Sequence, residues 1–172
     1  MRVIKKILIL VIIFFSNQVY CCDCKDLGPL DSLRLISFKN SELVFLGELI
    51  EFDTSDYSFT FQIIEIFKGK SKTKLIKGKS FDSCSQFPTD KSKWIIYADY
   101  RESDYIDISH CLASRSELNP ICIGCYTIPP PLGPNATEFE VTESNKKFSD
   151  LLDKAKNDWN TEIELLRKRK IR

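Results

Sequence analysis

The chain has one His, six Gly and one Met among 172 residues, and its longest apolar run is only nine residues. A single His leaves no paired-His metal motif and no His base matched to a nucleophile. Six scattered Gly build no Gly-rich phosphate loop. With 25 Lys+Arg against 24 Asp+Glu there is no basic surplus to neutralise a phosphate backbone, so nucleic acid is not an expected partner. Nine apolar residues as a helix span about 14 Å, against roughly 30 Å of bilayer hydrocarbon, so no membrane span is expected. These absences describe a non-enzyme with no cofactor of its own. What remains is a 43% apolar fraction, large enough for a core, together with seven Cys and twelve Phe.

The short apolar run, residues 7–15, follows Arg2, Lys5 and Lys6, which is the order of a secretory leader. Val19 and Cys21 are small enough for cleavage between Cys21 and Cys22. Tyr20 before Cys21 argues against lipid attachment there, which needs a small residue at that place. A secreted, periplasmic or extracellular protein is expected, with residues 1–21 as signal peptide. Cleavage leaves a faintly acidic body with six Cys, an even number that in an oxidising compartment reads as up to three disulfides. Six cysteines allow fifteen pairings, and spacing alone does not choose among them.

Residues 42–52 and 57–67 read as two strands, the second alternating Tyr57, Phe59, Phe61 and Ile63 against small polar residues. The turn formers at 53–56 make the pair an antiparallel hairpin. The alternation slips at Ile63 and Ile64, the mark of a bulge or of a stretch buried on both faces. Shorter strands are expected at 73–77, 93–100 and 105–109, and a short helix at 30–38. Five strands with turn-rich joints and no long helix between them predict an all-β fold, a small antiparallel barrel or sandwich. Residues 119–134 hold five of the seven Pro and form a loop. Beyond it Phe148, Leu151, Leu152, Ala155, Trp159, Ile163 and Leu166 recur at helical spacing, an amphipathic helix of five or six turns expected to lie on the barrel or on a partner. Four regions result: the leader, a barrel over 22–115, a Cys/Pro-rich loop over 116–137, and the helix with its basic tail over 138–172.

Several residues carry chemistry on a sequence reading. A body opening with Cys22-Asp23-Cys24 cannot easily close the C-x-C pair on itself, so each Cys reaches elsewhere. Cys122 and Cys125 have the spacing of a redox pair, yet they run into three prolines rather than a helix that would lower a thiol pKa. A structural disulfide, local or to a neighbour, is the expected use, ahead of a zinc site or redox activity. His110 is expected at a strand end on the surface. Glu102, Asp104 and Asp107 are expected as solvated turn and edge carboxylates, and Asn135-Ala136-Thr137 would accept a glycan in a eukaryotic secretory path.

The order of these elements resembles the tissue inhibitors of metalloproteinases, and more closely their secreted bacterial relatives that carry only the inhibitory domain. The elements are a C-x-C directly after a leader, Val44-Phe45-Leu46-Gly47-Glu48, a strand ending in Ile66-Phe67-Lys68-Gly69, Cys84, the segment 93–98 (KWIIYA), and Cys111 closing the last strand. The resemblance covers about residues 22–115. It implies a five-stranded antiparallel OB-fold barrel, and disulfides Cys22–Cys84 and Cys24–Cys111 that clamp the N-terminal segment. Each would close a long loop, worth roughly 4 kcal/mol in the chain-entropy model. It further implies that the free amine and carbonyl of Cys22 chelate the catalytic zinc of a target metallopeptidase, filling the position such a site keeps open. Asp23 would point toward that enzyme's specificity pocket. Inhibitory members carry Ser or Thr there, and a second carboxylate about 4 Å from the catalytic glutamate would cost roughly 4 kcal/mol at an effective dielectric near 20. From another class, the alternative is a secreted OB module that binds an envelope or extracellular protein without touching zinc.

Overall fold

The computed structural model describes residues 24, 28–101, 105–122 and 125–170. Helix α1 (Leu30–Asn40) turns Leu30, Leu33, Arg34 and Ser37 inward at helical spacing and ends where Ser41 becomes extended. Six strands follow: β1 (Leu43–Asp53), β2 (Ser58–Lys68), β3 (Leu75–Lys79), β4 (Lys93–Tyr100), β5 (Ile106–Ile108) and β6 (Arg115–Ser116). Helix α2 (Glu138–Lys170) closes the described chain with 33 residues, longer than the five or six turns expected. Among the described residues no helix is long and apolar enough to cross a membrane.

Strands β1 to β5 close into a barrel in the order β1-β2-β3-β5-β4, with β4 returning to β1. Four of its five contacts are antiparallel, but β3 and β5 run parallel at Gly78↔Ile106, so the purely antiparallel barrel expected from sequence is corrected. The reason is parity: a closed ring with an odd number of strands cannot alternate direction all the way round. Strand β6, which straddles the expected end of the barrel region at residue 115, adds to β4 at Trp94 and Ile95. β3 starts two residues later than expected, because its register on β2 is set by Gln62↔Leu75 and Phe61↔Ile76.

Alternation assigns each strand residue to one of two cores. Phe45, Leu49, Phe59, Phe61, Trp94 and Ile96 fill the barrel interior. Val44, Leu46, Ile95 and Tyr97, on the opposite faces of β1 and β4, lie under the two helices with Leu33 and Trp159. Burial on both faces explains why β1 and β4 read as apolar runs rather than as alternating strands. The slip at Ile63 and Ile64 is a bulge: Leu46 faces Glu65 and Gly47 faces Ile63, so Ile64 has no opposite number and is exposed. Gly78 has no room for a side chain, since a Cβ there would overlap the Phe59 ring and approach Ile106. Glycine at that point lets β3 cross the aromatic core to meet β5.

Candidate functional site

One end of the barrel is covalently fastened. β3 ends at Lys79, which pairs with Ser58 at the start of β2, and β5 runs parallel to β3, so their C-terminal ends and the β1–β2 turn share that end. Ser85 bridges Ser109, the Gln86 amide donates to the Ile108 carbonyl, and the His110 amide donates to the Cys84 carbonyl at 2.8 Å. Cys111 follows directly and is joined to Cys24 by a disulfide with 5.2 Å between the Cα atoms, closing 87 residues of chain. Cys84 is disulfide-bonded as well. Its expected partner Cys22, and Asp23, lie outside the described residues, as does the expected leader. Three of the cysteines singled out from sequence, Cys24, Cys84 and Cys111, therefore gather at one place.

Beside them the β1–β2 turn is held by its own carboxylates: Asp53 accepts from the Ser55 amide at 2.7 Å and Asp56 from the Ser58 amide at 3.0 Å. The Ser55 bonds keep the Asp53 carboxyl below its ordinary range. Tyr57 ends the turn with φ +57°, the left-handed region that bulky residues seldom occupy, and it is 56% exposed. Its ring meets Phe87 edge-on at 5.5 Å, and Phe87 in turn touches Phe52 and Phe59 of the barrel. Tyr57 thus holds an exposed ring at the same end of the barrel as the Cys24–Cys111 disulfide. Sequence reading placed Tyr57 in a strand; only the turn geometry reveals it.

The barrel is locked to its helices by a buried polar cluster. Glu162 of α2 is 1% exposed and accepts from Tyr97 of β4 at 2.6 Å, from Arg115 of β6 at 2.6 Å and from Arg34 of α1. Arg115 also donates to the Ala113 carbonyl, and Arg34 to the Asp158 carbonyl and to Asp31. Burial, then the neighbouring Glu162 charge, push the Tyr97 hydroxyl far above its ordinary pKa, so it serves as a fixed donor. Both Glu162 carboxylate oxygens are engaged, while the buried Arg115 Nε has no hydrogen-bond partner among the described residues. The cluster positions α2 and offers no nucleophile.

Cys122 and Cys125 are joined to one another, 5.4 Å apart at Cα, with Cys122 buried in the core under α2. Tyr126 next to them donates to Asp158 of α2 at 2.9 Å, and burial and that carboxylate raise its hydroxyl pKa. The Tyr126 bond thus tacks the loop to the helix, and the disulfide stiffens the turn just before it. His110 is exposed, as expected. Glu102 and Asp104 lie outside the described residues. Asp107 differs from expectation: it is 7% exposed and pairs with Arg101 at 3.3 Å, because β5 lies between β3 and β4 in the barrel wall and all three of its residues are buried. Among the described residues no three His, Cys, Asp or Glu side chains converge as a metal site.

The opposite end carries a feature missed in the sequence. Residues 68–79 contain six Lys and no acidic residue, a local charge hidden by the near-zero balance of the whole chain. A windowed charge count would have found it. Lys68 is structural, donating to the carbonyls of Phe38, Lys39 and Ser41 at the end of α1. Lys70, Lys72 and Lys77 instead line a groove of about 440 Å³ together with Leu75, Ile76, Tyr100 and Tyr105.

No known protein-family model matches the chain, and no curated protein matches it. The functional reading therefore rests on the residues themselves.

Proposed function

We propose that the protein is a secreted metallopeptidase inhibitor of the tissue-inhibitor type, built on an OB-fold barrel. The observation that carries the reading is the Cys24–Cys111 disulfide, which fixes the segment after the expected leader to the barrel end. The barrel order β1-β2-β3-β5-β4 supports the OB assignment. Cys22 lies two residues before Cys24, within about 7 Å of chain. A second disulfide at Cys84 would tie it down, leaving its amine and carbonyl free for the open position of a catalytic zinc. Little ordering entropy is then lost on binding. Tyr57 and the β1–β2 turn would border the peptidase contact.

The Asp23 carboxylate is the feature that favours a second reading, a secreted OB module that binds an envelope or extracellular protein. The test is inhibition of a metallopeptidase panel by secreted protein whose N-terminus has been established by intact mass as Cys22. Asp23→Thr is expected to tighten inhibition by a decade or more, and acetylation of the Cys22 amine to abolish it. A mature mass that retains Cys21, or no inhibition by either protein, rejects the inhibitor in favour of the binding module.

A further inference from the structure

The lysine-lined groove opens at the end of the barrel away from the disulfides. The start of β3, the loop before it, the last residue of β4 and Tyr105 just ahead of β5 come together there. At about 440 Å³ it falls within the range of roughly 300–1,000 Å³ usual for small-molecule sites, and barrel mouths are a common place for them. Its walls hold one another in place. The Tyr100 hydroxyl donates to the Lys70 carbonyl at 2.8 Å and ties the loop to β4, while the Ser71 and Thr73 hydroxyls donate to the carbonyls of Thr73 and Leu75. Three hydroxyl protons of the lining are thus spent within the walls. Three lysines and no carboxylate line the groove among the described residues, and neither Lys70 nor Lys77 has an ion-pair partner among them.

We propose that this groove binds a small flat organic acid, an aromatic ring carrying a carboxylate. Half-buried Tyr100 and Tyr105, with the Leu75 side chain 53% exposed beside them, give the ring apolar and aromatic surface to pack on. The lysines supply the charge: ammonium groups on flexible stems, gathered in one concavity, make a positive field that a carboxylate can meet without a fixed fork geometry. A neutral sugar would need the hydroxyl protons that the walls have already spent on one another, and inorganic phosphate would leave both rings unused. The site lies at the opposite end of the barrel from Cys24 and Cys111 and is independent of any zinc-directed role.

The test titrates the full secreted chain with 2-naphthoate, followed by NMR. Saturable binding is expected, with the Leu75 methyl and Tyr105 ring signals of the unaltered protein shifting together. The neutral naphthalene-2-carboxamide should bind at least tenfold more weakly, and acetate, which has the charge without the ring, should not shift those signals. The Lys70→Gln, Lys77→Gln double variant is expected to weaken naphthoate binding at least tenfold and Tyr105→Ala at least fivefold. Lys79→Gln, at the far end of β3, should change it less than twofold. The ligand comparison on the unaltered protein stands even if Tyr105→Ala does not fold. Absence of saturable naphthoate binding, equal binding of the carboxamide, a folded double variant that binds as before, shifts confined to Phe139 and Phe148 of α2, or binding of a sulfated polysaccharide with none of the naphthoate overturns the proposal.

Discussion

The two halves of α2 carry the same helical spacing of apolar residues and have opposite surroundings. From Ala155 onward the stripe is interior, with Trp159, Ile163 and Leu166 buried against β1, β4 and the proline loop. Before it, Phe139, Val141 and Phe148 are exposed, and Leu151 and Leu152 are half-buried at the transition. Periodicity reports that a helix has an apolar face; it does not report where the rest of the molecule ends. What marks the docked half is Glu162, whose two arginines and tyrosine come from α1, β6 and β4.

The strongest way to break this contrast is to remove Glu162. Glu162→Ala leaves Arg34 and Arg115 buried without their carboxylate, and the expected loss is about 3 to 5 kcal/mol in denaturant unfolding. A loss below about 1 kcal/mol would mean that apolar packing alone holds the helix.

Next in size, Trp159→Ala opens a cavity over β4 and removes the indole donor to the Arg115 carbonyl, at an expected cost of about 3 kcal/mol. Phe148→Ala, eleven residues earlier on the same stripe, should change the same measurement by no more than about 0.5 kcal/mol. Equal effects would erase the distinction between the halves.

The smallest effect lies at the free end. Thr137 and Glu140 form a reciprocal capping box, Thr137 donating from its amide and hydroxyl to the Glu140 carboxylate and accepting from the Glu140 amide. The amide bond, then the hydroxyl bond, hold the Glu140 carboxyl below its ordinary range. A carboxyl lowered on folding contributes fully above its unfolded pKa, and that contribution is lost as pH falls through the lower folded value. Helical chemical shifts over 138–142 should therefore weaken between pH 6 and pH 2, and in Thr137→Ala at pH 6, while global stability at pH 6 stays unchanged by the substitution.

Much of the barrel was legible because its cues are local. The hairpin formers at 53–56, the phase slip at Ile64 and the apolar segment of β4 each act within a few residues of chain. Less legible were features fixed by distant partners. The start of β3 follows β2, the parallel β3–β5 contact follows from closing an odd ring, and Asp107 is buried because β5 sits between β3 and β4. At the candidate site, Cys24, Cys84 and Cys111 were visible as members of a set read as up to three disulfides, paired only through the family resemblance, while Tyr57 and the lysine groove emerged only with the fold.

Sequence by itself determined the five barrel strands and the two helices to within their ends, and the apolar residues able to build a core, because hydrophobic period and turn chemistry are short-range properties of the chain. Tertiary structure alone decided which half of α2 is docked, where β3 and β5 run parallel, and which groups surround Glu162. Each of those depends on groups tens of residues apart arriving at one point, where burial makes a charge or an amide costly to leave without a partner.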